Sequence, residues 1–197
     1  LVIMEQTEYP AMSGHNTICT ATALLESGVV PMVEPVTEFS IDTPAGLVGV
    51  TARCEAGRAT SVTLRNVPSF AVHLDAPLNV PGLGELRVDV AWGGMFYVVV
   101  SAEQLGLSLA PEEGAKIVRA GRMVTQAARE QLPATHPADT SIEGVTICCI
   151  TAPLEEGGAE GAIRSKNAVV IATGAVDWAD RDTFASGIID RSPCGTG

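Results

Sequence analysis

Met12-Ser13-Gly14-His15 and Pro193-Cys194-Gly195-Thr196 are the two stretches on which the reading turns: each sets a small nucleophilic residue and a glycine where a helix is expected to begin. A helix N-terminus presents free backbone N–H groups and the positive end of the helix dipole, so it receives carboxylate or phosphate. The same field draws a thiol toward its ionised form near neutral pH, which makes thiolate available as base or nucleophile. The adjacent glycine lets backbone approach a ligand closely. Two such ends facing one another would grip one carboxylate from both sides and set side chains on opposite faces of its α-carbon. Proton exchange at that carbon without a cofactor needs this layout, one group removing the proton and the other returning it.

Outward from Ser13, the run Thr17-Ile18-Cys19-Thr20-Ala21-Thr22-Ala23-Leu24-Leu25-Glu26-Ser27 reads as a helix stopped by Gly28. Ile18, Ala21, Leu24 and Leu25 share a face at helical spacing, with a capping hydroxyl before them and a terminal glycine after. From Val36 to Ala102 the pattern changes to short β-type runs: Val36–Ile41, Leu47–Cys54, Thr60–Asn66, Ser69–Leu74, Glu85–Val90 and Met95–Val100. Turns fall at 43–46, 55–57, 81–84 and 93–94. Pro111-Glu112-Glu113 opens a second helix through about Gln131, with Pro in its first turn and two acids at its positive end. Ile117, Val118, Val124, Ala127 and Ala128 form its expected buried stripe. Val145–Thr151 and Ala168–Thr173 are further strands, Glu155–Gly161 is an acidic hairpin loop, and Ile188-Ile189 leads into the second motif.

Composition narrows the function. The chain has 197 residues, 12 Lys+Arg against 23 Asp+Glu, and a net charge of −11. That balance, with no basic cluster, argues against nucleic acid or an anionic membrane as partner. Hydrophobic residues are 46% of the chain, enough for a packed core. The five cysteines, Cys19, Cys54, Cys148, Cys149 and Cys194, are odd in number and follow no metal-ligand spacing. Neither a disulfide framework nor a metal centre is expected, and a reducing cytoplasm is the compartment this suggests. No apolar run is long enough to span a membrane. His73 and His136 read as structural or surface residues, and Trp92, Phe96 and Tyr97 as core.

Ser13-Gly14-His15-Asn16-Thr17-Ile18 and Asp190-Arg191-Ser192-Pro193-Cys194-Gly195-Thr196-Gly197 resemble the two active-site motifs of the proline racemase family. That family includes hydroxyproline 2-epimerases and trans-3-hydroxy-L-proline dehydratases. Asn66-Val67-Pro68-Ser69-Phe70 and Ala91-Trp92-Gly93-Gly94-Met95-Phe96-Tyr97 extend the resemblance over nearly the whole chain. The fold it implies is α+β of the diaminopimelate-epimerase type: two β-rich lobes, each around a central helix, with the site between them. On that basis residues 1–102 are part of the first lobe, with its central helix near 14–28. Residues 103–197 are then a connecting helix and part of the second lobe, an incomplete fragment cut at the start of its central helix.

The resemblance also implies roles. Cys194 matches one catalytic cysteine, and Ser13 stands where the racemases have the other. The amides of Gly14, His15, Gly195 and Thr196 match the carboxylate cradle, and Asp190 the acid that meets the substrate's ring nitrogen. No cofactor and no metal are implied, and the partner is a small imino acid, hydroxyproline or proline. Serine is a poor unaided base, which counts against simple racemisation by two equivalent thiols. The implied chemistry is 4-hydroxyproline 2-epimerisation, trans-3-hydroxy-L-proline dehydration, or both. Proline racemisation and a degenerate homologue that binds imino acids without turnover are the alternatives.

Overall fold

The structure, a computed structural model, describes residues 1–4, 9–156, 163–192 and 194. It divides into two compact units, the first built from residues 1–69 with 93–95 and Cys194, the second from 70–92 and 96–192.

In the first unit, α1 (Gly14–Glu26) packs on an antiparallel sheet of β1 (Val36–Thr43), β2 (Gly46–Glu55) and β3 (Arg58–Arg65). Alternation in β2 turns Val48, Val50, Ala52 and Cys54 inward and their neighbours out, as a half-buried strand requires. From the helix, Ala21 meets Ile41 and Val50, and Leu25 meets Ala52 and Cys54, with Phe39 and Val62 closing over both groups. The buried face of α1 is thus Thr17, Ala21 and Leu25, a strict four-residue spacing. Ile18, expected on that face, is 39% exposed, and Cys19 beside it is exposed too. Two apolar layers sharing one small sheet leave room for a single narrow stripe. The helix ends at Gly28, whose φ of 76° is the left-handed turn a glycine adopts freely.

The second unit carries a six-stranded sheet in the order β11-β10-β7-β6-β5-β4. Its strands are β4 (Phe70–Val80), β5 (Gly84–Trp92), β6 (Phe96–Ser101), β7 (Ile147–Thr151), β10 (Asn167–Ala172) and β11 (Gly187–Ile189). Between them β8 (Glu155–Glu156) pairs with β9 (Ile163–Arg164), so the ends of the expected acidic hairpin are strands while its tip lies outside the described residues. Every pairing in the six-stranded sheet is antiparallel except β6 with β7. A parallel pair needs a crossover, and α2 (Gly114–Gln131) lies within it. Both strands of that pair are buried nearly throughout, from Phe96 to Val100 and from Ile147 to Ile150.

Because β4 to β6 hydrogen-bond onward to β7, they belong with the later strands, and the boundary expected at 102/103 falls inside the second unit. Strand β4 also runs six residues beyond its expected end at Leu74, passing through Pro77. It is an edge strand, where proline removes no ladder bond, and it bulges at Asp75, whose φ is 48°. On α2, Ile117, Val124, Ala127 and Ala128 are buried as expected, Val118 only partly, and Arg122 is buried at 1% exposure. Trp92, Phe96 and Tyr97 are core residues, with the Trp92 and Phe96 rings 4.9 Å apart. No helix of the described residues is long and apolar enough to cross a membrane.

Candidate active site

Ser13 occupies the N-cap of α1 in extended backbone (φ −142°, ψ 122°), but its hydroxyl caps no helix amide. The first turn is held from the other side: the Thr17 amide and hydroxyl both donate to the Ser13 carbonyl, at 3.0 and 2.7 Å. Thr17 is fully buried, so this anchor is shielded from water. The Ser13 hydroxyl instead accepts from the Asn16 side-chain amide at 3.0 Å. An oxygen that accepts one hydrogen bond keeps its own proton to donate elsewhere. No acidic residue stands in the first turn, so the positive end of α1 is not neutralised by its own side chains. His15 is exposed and Ser13 and Gly14 are half-buried.

Cys194 belongs to the same compact unit as Ser13, although about 180 residues separate them. It is 8% exposed and its φ is 55°, left-handed backbone that costs a non-glycine residue on the order of 1–3 kcal/mol. Strain of this kind is held only where the surroundings enforce it, and it gathers at functional sites. Asp190 is carried by the second unit, directly after β11. Its amide donates to the Val169 carbonyl at 2.8 Å, and its two carboxylate oxygens accept from the Ser192 amide (2.9 Å) and hydroxyl (2.8 Å). Each oxygen keeps a second lone pair for another donor. Gly195 and Thr196, and the helix expected after Cys194, lie outside the described residues.

Asn16 was given no role on sequence, and its bond to Ser13 is what an asparagine three residues after a helix-opening serine can make. A second linkage also escaped notice. The Asn66 side-chain amide donates to the Gly93 carbonyl at 2.7 Å, fastening the Gly93–Met95 turn to the first unit. The Asn66 side-chain oxygen is buried without a partner among the described residues. This bond ties together the Asn-Val-Pro and Trp-Gly-Gly stretches, which sequence reading had noted separately.

The remaining thiols and histidines stay outside the site. Cys148 and Cys149 are buried in β7, and burial pushes the Cys148 thiol far up from its ordinary value, which leaves it inert. Among the described residues no cluster of His, Cys, Asp and Glu could hold a metal. His73 bonds the Pro133 carbonyl at 2.8 Å, and His136 lies against the Trp92 ring at 4.8 Å. A cavity of about 530 Å³ in the second unit, bounded by Arg119, Arg181, Trp178 and Phe184, includes none of the candidate residues.

The whole chain, residues 1–197, matches the proline racemase family. It is 38% identical to a hydroxyproline epimerase from Agrobacterium vitis, solved with bound trans-4-hydroxy-L-proline. That match has a TM-score of 0.81 and covers 100% of this chain and 51% of the other. A probable proline racemase from Agrobacterium radiobacter K84, solved with bound carbonate, is 36% identical. Its TM-score is 0.80 over 98% of this chain and 52% of that one. The chain belongs to the proline racemase family and has its α+β fold, and it spans about half the length of these two relatives.

Proposed function

We propose that the full-length protein containing this chain is a cofactor-independent 4-hydroxyproline 2-epimerase, with Cys194 and Ser13 as its proton-transfer pair. The observation that carries the reading is the joining of Ser13 and Cys194 in one compact unit. Whole-chain similarity to an epimerase solved with trans-4-hydroxy-L-proline supports it. In this scheme the Cys194 thiolate takes the α-proton from one face, becoming a thiol, and the electron pair passes into the substrate carboxylate as an enolate. Ser13 gives its hydroxyl proton to the opposite face and regains one from solvent. The carboxylate rests on the amides of Gly14 and His15, where the unneutralised end of α1 favours negative charge, and on those of Gly195 and Thr196. Asp190 meets the protonated ring nitrogen.

One feature favours a second reading. Ser13, whose oxygen accepts from the Asn16 amide, keeps its own proton to give, and an unaided serine is a poor group to take one. Dehydration of trans-3-hydroxy-L-proline asks Ser13 to take no proton: Cys194 removes the α-proton, the C3–O bond breaks, a C2–C3 double bond forms, and the leaving hydroxide takes a proton from solvent and departs as water. No proton returns to the α-carbon.

Both activities are read by giving the full-length enzyme each substrate in deuterated water. Epimerisation places deuterium at the α-carbon of the product; absence of both α-deuteration and dehydration refutes the proposal. Ser13→Ala is expected to lower epimerisation by about 10²–10⁴-fold, the range for loss of one acid–base group, with trans-3-hydroxy-L-proline dehydration largely kept. Equal losses would make Ser13 a substrate-positioning group instead.

A further inference from the structure

We infer that Arg122, in the middle of α2, is a positioning residue that sets the place of Asp190 through the segment leading into β11. The inference rests on the reading of Asp190 as the partner of the substrate's ring nitrogen.

Arg122 is a buried cation at 1% exposure, and its partners among the described residues include no carboxylate. One terminal nitrogen donates to the Gly174 carbonyl at 2.9 Å. The other reaches the Ala175 carbonyl (3.3 Å), the Thr183 carbonyl (3.0 Å) and the Ser186 hydroxyl (3.4 Å). Every acceptor lies between residues 174 and 186. Burying a cation without an ion pair is costly, and an apolar side chain would fill the same space more cheaply. What an apolar residue cannot do is gather carbonyls that point in different directions, which the planar fork of a guanidinium does.

The clamp acts where the chain most needs one. Strand β11 is three residues long and lies at the sheet edge, with Ile188 56% exposed and Gly187 and Ile189 only half-buried. It has little apolar surface of its own to fix its position. Gly187, its first residue, adjoins the clamp: a Cβ there would stand 3.1 Å from Arg122 Cδ, 3.1 Å from Val118 Cγ1 and 3.2 Å from the Ile171 carbonyl oxygen. The arginine stem therefore passes over a residue where a Cβ would fit only if its neighbours gave by a few tenths of an ångström. Beyond it, Ile188 and Ile189 register against Ile171 and Val170, the Asp190 amide bonds Val169, and the carboxylate follows. Ser186, the last group Arg122 holds, is four residues from Asp190. Groups that meet a substrate must be held to within about 0.5 Å, and here the holding contact is made by a different element from the one that bears the carboxylate.

The test uses the full-length enzyme with Arg122→Met and, should that variant fold poorly, Gly187→Ala, which displaces the arginine stem while keeping its charge. Amide hydrogen exchange at residues 187–190 reports the clamp directly. The KM for trans-4-hydroxy-L-proline is set beside the Kd for pyrrole-2-carboxylate, whose ring nitrogen carries no positive charge. The expected result is faster exchange at 187–190 and a KM raised about 10-fold or more, the effect of losing one charge-assisted hydrogen bond, with the pyrrole-2-carboxylate Kd little changed. In an Asp190→Asn background, Arg122→Met then adds no further loss in KM. Unchanged exchange at 187–190, or equal weakening of both ligands, overturns the inference. Faster exchange beside an Asp190→Asn variant of normal KM upholds the clamp and overturns the reading of Asp190 instead.

Discussion

Cys194→Ser is expected to reduce α-proton exchange by about 10³-fold or more in the full-length enzyme, because it replaces the thiol of the proposed pair with a second hydroxyl, a poor unaided base. The substitution changes one atom and leaves a side chain of nearly the same size in a site that is 8% exposed. The left-handed backbone at this position penalises serine and cysteine alike, so the fold does not distinguish them. Binding and chemistry should therefore separate. Pyrrole-2-carboxylate should bind the variant with nearly its original Kd, while deuterium no longer enters the substrate's α-carbon. Retained exchange would remove Cys194 from its assigned role. Loss of binding together with exchange would show that the thiol serves the shape of the site and not its proton transfer.

The second large effect concerns stability. Gly121 sits in α2 where the helix crosses β10, and a Cβ there would come within 2.6 Å of both Val170 Cβ and Val170 Cγ2 and 3.0 Å of Cγ1. Val170 is 1% exposed, and because its Cβ is itself one of the atoms 2.6 Å away, no rotation of its side chain relieves the contact. Gly121→Ala must push helix and sheet apart. Overpacking of this kind costs about 1–3 kcal/mol, and more where backbone has to move. The better helix propensity of alanine returns about 0.5–1 kcal/mol. Thermal or denaturant unfolding should show a net loss, at about 2–4 °C of Tm for each kcal/mol in a chain of this length. Val170→Ala removes the obstructing methyl groups, so the double variant should be less destabilised than the two single losses added together. An unchanged Tm in Gly121→Ala would mean that the helix sits farther from the sheet than described.

The parts of this molecule visible in its sequence were those with a local cause. Alternation over Leu47–Cys54 marks a strand because inward and outward residues are chemically different at every second position. Gly28 marks the end of the first helix because a helix stops readily on a left-handed residue, whereas Ser13 stands at the N-cap without its hydroxyl capping an amide. What remained hidden depends on partners far along the chain. Nothing near Arg122 in the sequence marks it as buried, because its acceptors lie more than 50 residues later in the chain. The division of the chain near residue 70 follows from the parallel pairing of β6 with β7, a contact that no periodicity within either strand announces. The continuation of β4 through Pro77 depends on its being an edge strand, which is a property of the sheet and not of the segment. At the candidate site, the two motifs were legible as residue types, whereas the bond that directs the Ser13 hydroxyl toward Asn16 was not.

The assignment of Cys194 to the unit that opens the chain has a consequence for biosynthesis. Ribosomes add about 5–20 residues per second, so the roughly 180 residues between Ser13 and Cys194 take on the order of 10–40 s to make. During that interval α1 and its sheet can form with Ser13 in place while Cys194 has not yet been made. On the role proposed above for Cys194, proton transfer waits at least until that residue has been added to the chain.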